Sequence, residues 1–238
     1  MSIKVLSIVI PVFNEASTIR QVLERVSAVK LIGGIAKEVI VINDGSTDHS
    51  AETIQNYIQG NPEDIKFISN STNKGKGASI AEGIKLATGD FVVIQDADLE
   101  YDPQEYNILL EPVVKGIADV VYGSRFLGGR AHRILFFWHS LGNRFLTFLS
   151  NMFTNLNLTD METCYKMMRT SMIKGIRIRE KRFGFEPEIT ARLAKIPDIR
   201  IYEVGISYYG RKFKEGKKIN WKDGLRAIYC ILRYNLFS

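Results

Sequence analysis

The amino-acid sequence predicts an α/β fold in which helices flank a mainly parallel central sheet. Through the first half of the chain, apolar segments of strand length alternate with segments of helical periodicity, which is typical of βαβ units. The strand segments are continuously apolar, as expected for strands that are buried on both faces of a parallel sheet. With 238 residues, the chain is long enough for one sizeable hydrophobic core.

The first half contains the clearest elements. Ile19, Val22 and Val26 recur at helical spacing, and Asp48 or Ser50 can cap the next helix. The predicted strands are residues 6–12, 39–42, 65–68, 91–94 and 119–123, and the predicted helices are residues 17–29, one ending near 58, 77–87, and one that begins at Pro103.

The second half is less regular. Its predicted elements are a long aromatic helix at 134–158, a strand at 164–168, a helix around 187–194, an edge strand at 200–206, a basic loop at 211–218 and a last helix at 221–234. We therefore expect a main domain over residues 1–212. Residues 213–238 would form a basic loop and an amphipathic helix, packed on or beside that domain.

Composition narrows the classes of function. The formal net charge of +6 suits an anionic partner, such as a phosphorylated substrate, nucleic acid or an acidic membrane surface. Cys164 and Cys230 form no disulfide framework and no zinc motif. The first residues lack a signal-peptide cleavage site, and no apolar stretch approaches the roughly 18 residues of a spanning helix. We expect an intracellular, reducing location without a transmembrane anchor in this chain.

The segment from Gly89 to Pro103 is the most informative one. The apolar strand at 91–94 is followed by Asp96, Asp98 and Glu100. Carboxylates at the end of a buried strand need compensating charge, and oxygen ligands suit hard cations such as magnesium or manganese. Because ligands of open α/β sheets bind at the carboxyl ends of strands, the spacing predicts a metal that holds an anionic ligand, most plausibly a diphosphate.

Polar residues follow the neighbouring strands as well. Glu15 follows the first strand, and Asp44 follows the second and is suited to accept hydrogen bonds from a base or ribose. The segment NKGKGAS opens a helix, where Lys74 and Lys76 are placed to reach a phosphate or are merely the flanks of a turn.

Five segments together resemble the family 2 glycosyltransferases of the GT-A fold. They are PVFNE, INDGSTD, NKGKGAS, QDADLEYDP and YGSRFLGG. Their order and spacing are similar to those of the dolichol-phosphate mannose and glucose synthase group, and the resemblance covers about residues 4–224. It implies a GT-A-like fold and a metal-dependent inverting transfer of a hexose. The donor would be GDP-mannose or UDP-glucose, the cofactor Mg²⁺ or Mn²⁺, and the acceptor a polyprenyl phosphate.

The resemblance also implies site residues. The nucleotide sugar would be held by Pro11, Phe13, Glu15, Asp44, Lys76, Asp96, Ala97, Asp98, Arg125, Arg211 and Lys217. The metal ligands would be Asp96, Asp98 and Glu100. The acceptor phosphate would meet Arg125, Arg130, Arg133 and Arg144. Asp98, Arg125 and Asp160 would carry the catalysis, and Asp160, Glu186 and Glu188 would border the sugar pocket.

The aromatic helix at 134–158 admits two interpretations. Trp138, Leu141, Phe145, Phe148 and Met152 lie roughly along one face, which could rest at a membrane interface with basic residues near anionic lipid. For most of this stripe we instead expect a core helix packed on the sheet. A peripheral position on the inner face of the membrane would suit a lipid acceptor.

Three alternatives remain. A transferase acting on a glycan hydroxyl would need a carboxylate base, for which Asp160, Glu186 or Glu188 are candidates. A basic nucleic-acid-binding module is disfavoured because the aromatic residues are not interleaved with the basic ones. A dinucleotide-dependent oxidoreductase is weaker still, since GxGxxG is missing after the first strand.

Overall fold

The computed structural model describes residues 3–61, 65–128, 133–134, 136–211 and 221–237, and these residues confirm the α/β fold. The strands are β1 (Val5–Val12), β2 (Ala36–Asn43), β3 (Ile65–Ser69), β4 (Phe91–Ile94), β5 (Val120–Ser124), β6 (Lys166–Arg169) and β7 (Ile201–Gly205). The helices are α1 (Ile19–Ala28), α2 (Ser50–Gly60), α3 (Lys76–Leu86), α4 (Tyr106–Val114), α5 (Phe137–Thr154), α6 (Thr170–Lys174), α7 (Phe185–Leu193) and α8 (Trp221–Leu236).

One sheet holds the seven strands in the order β3-β2-β1-β4-β6-β5-β7. β1 pairs in parallel with β2 and β4, β2 with β3, and β5 with the edge strand β7. Only β6 is antiparallel to its neighbours, β4 and β5. Because β6 runs the opposite way, its amino end lies at the same edge of the sheet as the carboxyl ends of the other strands.

The core is built around β1. Ile8, Val9 and Ile10 are fully buried between β2 and β4, as expected from a continuously apolar central strand. α3 packs closely on β1, since a Cβ at Gly83 would lie 2.4 Å from Cγ1 of Val9. This close contact fixes the position of the amino end of α3, which begins at the edge where the carboxyl ends of the strands lie.

Ion pairs stabilise the opposite, amino-terminal edge of the sheet. Glu38 accepts hydrogen bonds from Ser7 and Thr88 and forms an ion pair with Lys66 at 2.5 Å. Burial would raise the pKa of Glu38, but these partners outweigh burial and lower that pKa to about 2. The charges at this edge are thus satisfied within the protein.

The predicted burial of the aromatic helix is wrong for its main stripe. In α5, Trp138 is 78% exposed and Phe148 is 65% exposed. Its buried positions are Thr147 and Ser150, while Leu146, Leu149 and Phe153 are partly buried against the core. These residues form the side of α5 that faces the protein, and the predicted aromatic stripe lies on the exposed side.

α8 packs against α5 and α7, and its Arg226 pairs with Glu180 at 2.8 Å. The sequence predicts that the main domain ends at residue 212. Residues 212–220 lie outside the described residues, so this boundary stays a prediction. None of the helices in the described parts of the chain has the length and apolar character needed to cross a membrane.

Candidate active site

Four segments that follow strands meet at the carboxyl edge of the sheet. β1 leads to Glu15, β2 to Asp44, β4 to Asp96 and Asp98, and β5 to Arg125. The register explains this meeting, because Val12 is paired with Asn43 and Val9 with Ile94 in parallel neighbours. The topology therefore brings together the acids that the sequence placed after successive strands.

Arg211 joins three of the predicted carboxylates. Its Nη1 lies 3.1 Å from Glu15 Oε2, and its Nη2 lies 2.8 Å from Asp98 Oδ2. Its backbone N–H donates to Glu100 Oε1 at 2.7 Å. The guanidinium thus supplies positive charge at the centre of an acidic group of side chains.

Asp98 is under electrostatic strain. Burial, Asp96 and Glu100 raise the pKa of Asp98 to about 7, although Arg211 acts in the opposite direction. A divalent cation would relieve this repulsion, and carboxylate oxygens are suitable ligands for a hard ion. Asp96 and Asp98 therefore fit the predicted metal site.

Glu100 has other partners than expected. Its Oε2 accepts a hydrogen bond from the hydroxyl of Tyr208 at 2.8 Å, and its Oε1 accepts the one from Arg211. In the described ranges, no group of three or more Asp, Glu, His or Cys side chains is arranged to hold a metal ion. The metal role of Glu100 stays a prediction.

Lys76 begins α3 and faces two acids. Its Nζ lies 2.9 Å from Asp96 Oδ1 and 3.4 Å from Glu186 Oε1. Burial would lower the pKa of Lys76, but Asp96 and the other nearby acids raise it well above its ordinary value. Lys76 is therefore a fixed positive charge beside the acidic residues that follow β4.

Arg125 and Asp160 form a buried, two-pronged ion pair. Arg125 donates from Nε to Asp160 Oδ2 at 2.6 Å and from Nη2 to Oδ1 at 2.8 Å, and its backbone N–H donates to Oδ2. Asn143 of α5 donates to the same carboxylate at 3.1 Å. The Asp160 side chain is fully buried, so the pair holds the guanidinium in one position.

Asp44 organises the loop before α3. Its two oxygens accept hydrogen bonds from the backbone N–H groups of Lys74 and Gly75, at 2.8 and 2.7 Å. Gly45 has a φ of +66°, and a Cβ there would lie 2.5 Å from the carbonyl carbon of Thr72. Only glycine fits this close turn. A carboxylate oxygen can accept more than one hydrogen bond, so Asp44 keeps acceptor capacity.

The other described residues predicted to hold the nucleotide lie in β1 or shortly after β1 and β4. Pro11 is in β1, Phe13 follows that strand, and the Ala97 carbonyl accepts a hydrogen bond from Thr18 Oγ1 at 2.7 Å. Lys217 lies outside the described residues. The roles assigned to these residues stay predictions.

The arginines predicted for the acceptor are differently placed. Arg133 Nη1 donates to the carbonyl of Gly210 at 2.6 Å, and the Arg144 guanidinium lies over the ring of Phe126. Arg130 lies outside the described residues. Arg125, by contrast, is held by the buried carboxylate of Asp160.

Glu188 is a structural residue. It accepts the backbone N–H groups of Arg179 and Glu180 and pairs with Arg192 at 2.8 Å. Its fully buried carboxylate therefore holds the chain that precedes α7, and its place at the sugar pocket stays a prediction.

Sequence reasoning missed three side chains at this edge. Asn143 contacts Arg125 and Asp160, Tyr208 binds Glu100, and Glu162 stands two residues after Asp160. The first two come from distant segments, and no local pattern marks them. An acid two residues before the predicted strand at 164–168 could have drawn attention to Glu162.

The fold resembles that of solved glycosyltransferase structures. It is similar to glucosyl-3-phosphoglycerate synthase from Mycobacterium tuberculosis, solved in complex with Mn²⁺, uridine diphosphate and phosphoglyceric acid, with a TM-score of 0.74 and 17% identity. The match covers 99% of this chain and 80% of that one. The predicted GT-A-like fold is thereby confirmed.

Residues 7–177 match the model of the family described as Glycosyl transferase family 2. The match includes more than half of the chain, and the chain belongs to this family.

Curated relatives are similar along most of the chain. It is 29% identical over 215 residues to undecaprenyl-phosphate 4-deoxy-4-formamido-L-arabinose transferase of Pseudomonas aeruginosa, covering 90% of this chain and 60% of the relative. It is 25% identical to dodecaprenyl-phosphate galacturonate synthase of Rhizobium johnstonii, covering 87% and 60%, and 25% identical to dolichol-phosphate mannosyltransferase of Pyrococcus furiosus, covering 96% and 64%. The chain spans less than two thirds of the length of each.

Proposed function

We propose that this chain carries the catalytic site of an inverting, metal-dependent glycosyltransferase. It would move a hexose, mannose or glucose, from a nucleotide diphosphate to a polyprenyl phosphate at the inner face of the membrane. The observation that carries the proposal is that α5 both contacts the predicted catalytic residues and exposes large aromatic side chains. Asn143 on this helix binds the Arg125–Asp160 pair, while Trp138 and Phe148 of the same helix are exposed.

The donor end would be the acidic group at β4. Asp96 and Asp98 would hold the divalent ion, with the nucleoside beside Glu15 and Asp44. The bound ion would supply Lewis-acid stabilisation of the diphosphate leaving group. Arg211 and Lys76 add protein cations on either side of these acids, positioned before reaction where negative charge would develop. The Mn²⁺ and uridine diphosphate in the structural neighbour's complex agree with this assignment.

The acceptor end would be Arg125. Asp160 occupies its Nε and Nη2, whereas its Nη1 makes no hydrogen bond within the described residues. A phosphate monoester is already anionic at neutral pH, so it needs a cation to bring it to the sugar and needs no strong base. The three relatives described above are named for polyprenyl-phosphate acceptors or products, which supports this choice.

The glycan-hydroxyl alternative is less well supported by the same geometry. Each of the three carboxylates that the sequence suggests as its base has a cationic partner. Asp160 is paired with Arg125, Glu186 with Lys76, and Glu188 with Arg192. A phosphate acceptor needs no carboxylate base, so it suits these ion-paired residues better.

A lipid acceptor would also account for the exposed apolar surface of α5 and α8. Trp138 and Phe148 on α5, and Trp221 and Leu225 on α8, are each more than half exposed, and the two helices pack together. Soluble domains seldom expose so many large apolar side chains on one pair of helices. We therefore include peripheral membrane contact in the proposal.

Vesicle sedimentation tests this contact. Binding to vesicles with anionic lipid should fall about tenfold in Trp138→Ser with Phe148→Ser. Tyr202→Ser, which changes an exposed aromatic residue on β7, is the matched control. Equal binding by all three proteins would contradict the membrane contact.

A transfer assay tests the reaction. The protein is incubated with Mg²⁺ or Mn²⁺, a short polyprenyl phosphate and a panel of radiolabelled nucleotide sugars, and label is counted in the organic phase. We expect label from one donor, its loss with EDTA, and its loss in Asp98→Asn. Metal-dependent transfer to glycans without label in the lipid would favour the hydroxyl acceptor instead. Full activity of Asp98→Asn under chelation would refute the assignment of the metal site.

A further inference from the structure

Glu180 lies in the chain between α6 and α7 and is held by two side chains of α8. Its carboxylate accepts hydrogen bonds from Nε and Nη2 of Arg226, at 3.1 and 2.8 Å, and from the hydroxyl of Tyr234 at 2.9 Å. The Glu180 side chain is only 7% exposed, whereas that of Arg226 is 52% exposed. A buried carboxylate needs hydrogen-bond donors, and α8 supplies them here.

α8 also approaches this segment closely just before α7. A Cβ at Gly184 would lie 2.7 Å from Sγ of Cys230 and 2.7 Å from Oε2 of Glu180, so a glycine is needed there. Farther along α8, the Tyr234 carbonyl accepts a hydrogen bond from Nζ of Lys195 at 2.8 Å. α8 is therefore fixed against the chain on both sides of α7.

The backbone of the Glu180 segment packs on the first turn of α3. The carbonyl oxygen of Lys181 accepts a hydrogen bond from the backbone N–H of Ala78 at 3.1 Å. A Cβ at Gly75 would collide with the carbonyl oxygen of Lys181, and a Cβ at Gly77 would collide with that of Glu180. The two glycines thus let the backbones meet, and residues 180–181 support one side of this turn.

The same turn carries groups of the proposed donor end. Lys76 lies between the two glycines, and its Nζ is 2.9 Å from Asp96 Oδ1. The backbone N–H of Gly75 donates to Asp44 Oδ2 at 2.7 Å. Both contacts start from the turn that residues 180–181 support, so a shift of that support would move Lys76 relative to Asp96.

We propose that Glu180 is a positioning residue that couples α8 to the donor end of the site. Held by Arg226 and Tyr234, it keeps the backbone of residues 180–181 against α3, and so keeps Lys76 where the diphosphate of the nucleotide would bind. Glu180 thus acts through Lys76 and not by touching a reactant. This inference rests on the proposed function, because it takes the acids after β4 as the donor end.

Calorimetry on variants of the Glu180–Arg226 pair tests the proposal. Glu180→Gln and Arg226→Gln are titrated with uridine diphosphate and guanosine diphosphate in the presence of Mn²⁺, and with Mn²⁺ alone. For the base that binds, the nucleoside diphosphate should bind about fivefold more weakly to each variant, a change of the size that residues outside a site can produce there. Mn²⁺ alone should bind at least as tightly as it does to the wild type, because a looser Lys76 competes less for Asp96.

The two titrations distinguish positioning from stability. General loosening of the fold would weaken the binding of Mn²⁺ and of the diphosphate together, and that result would refute the proposal. Wild-type affinity for the diphosphate in both variants would refute it as well. Urea unfolding verifies that each variant is folded. Tyr234→Phe removes one donor and keeps the ring, so it is the mildest variant and should show the same pattern at about twofold.

A double-mutant cycle tests whether α8 acts through Glu180. The protein that carries both Glu180→Gln and Arg226→Gln should lose no more diphosphate affinity than either single variant, and fully additive losses would contradict the coupling. Arg200→Gln is the matched control. Arg200 is 46% exposed and also donates from Nε and Nη2 to one carboxylate, that of Asp119 at the opposite edge of the sheet. Its replacement should leave diphosphate affinity within about twofold, and an equal loss there would also contradict the coupling.

The outcomes separate the two proposals. Weaker nucleotide binding by the variants, without label transfer to polyprenyl phosphate by the wild type, would contradict the proposed acceptor and leave the positioning role standing. Label transfer by the wild type, with unchanged nucleotide affinity in the variants, would overturn the positioning role alone. Failure of every nucleotide to bind the wild type would overturn both.

Discussion

Replacing Asp160 by Asn should separate the stability of the Arg125–Asp160 pair from its role in transfer. The substitution keeps the shape of the side chain and one acceptor oxygen. It removes the charge that holds Arg125 Nε at 2.6 Å and Nη2 at 2.8 Å. Because Asp160 is fully buried and Arg125 nearly so, a guanidinium would be left in the interior without its counter-ion.

Breaking one partner of a buried pair costs about 3–5 kcal/mol, and the retained acceptor of Asn places the expected loss near 3 kcal/mol. For a chain of this length each kcal/mol lowers the melting temperature by about 2–4 °C, so Asp160→Asn should melt about 6–12 °C below the wild type. The free energy of unfolding is measured in urea. Transfer is then assayed at a temperature where both proteins are folded.

Asp119→Asn is the matched control, because Asp119 is also an aspartate that pairs with arginine, in its case with two, but it stands at the amino end of β5. It lies 2.9 Å from Arg169 and 2.8 Å from Arg200. The partners are more exposed, so we expect a loss of about 1 kcal/mol and unchanged transfer by the folded protein. Asp160→Asn should instead lose transfer about a hundredfold, since Arg125 would no longer be held toward the acceptor.

Two results would refute this reasoning. Wild-type transfer by folded Asp160→Asn would mean that the pair does not position Arg125 for the reaction. An equal loss of transfer in Asp119→Asn would mean that general loosening of β5, and not the site, explains the effect.

Three further predictions concern single side chains. The pKa of Glu38 is lowered to about 2, so its ionised carboxylate stabilises the fold fully above pH 4.5, and this stabilisation is lost as pH falls toward 2. Between these two pH values, the free energy of unfolding of Glu38→Gln should therefore change by about 2–3 kcal/mol less than that of the wild type. An unchanged pH dependence would contradict this. Arg211→Ala removes a cation that competes with the metal for Asp98, so calorimetry without nucleotide should show that Mn²⁺ binds about fivefold more tightly. The same variant should bind a nucleoside diphosphate about tenfold more weakly, because one positive charge is missing. No change in either affinity would count against the proposed site. Gly45→Ala would force a Cβ against the backbone of Thr72 and should cost about 2–3 kcal/mol in urea unfolding, with a cost near zero as the contrary result.

Much of the fold follows from local patterns in the sequence. Continuous apolar strands and intervening amphipathic helices determine a parallel sheet, and parallel strands bring their carboxyl ends to one edge. Glu15, Asp44 and Asp98 could be placed together on that basis alone. The antiparallel β6 was not foreseen, yet it is the strand that brings Asp160 to the same edge.

The partners of these residues could not be predicted in the same way. Glu100 binds Tyr208, which is 108 positions away, and Arg211 binds Glu15, which is 196 positions away. Such contacts depend on how the second half of the chain folds over the sheet. No spacing rule within either segment encodes them.

The burial of α5 was mispredicted for a different reason. An apolar stripe such as Trp138 and Phe148 indicates that a helix has a face to cover, but it does not specify what covers that face. The structure turns Thr147 and Ser150 toward the protein and leaves the larger aromatic side chains outside. Whether a stripe meets a sheet or a lipid surface depends on tertiary packing, which helical periodicity does not contain.

The two edges of the sheet show why electrostatics identifies the site more sharply than residue type does. At the amino edge, hydrogen bonds and ion pairs lower the pKa of Glu38 and of Asp119, so these carboxylates are satisfied within the fold. At the carboxyl edge, burial and neighbouring acids raise the pKa of Asp98 and of Glu162. The same chemical group is thus stabilised at one edge and strained at the other. Strain of this kind reduces the stability of the folded protein, and at Asp98 a bound cation would relieve it.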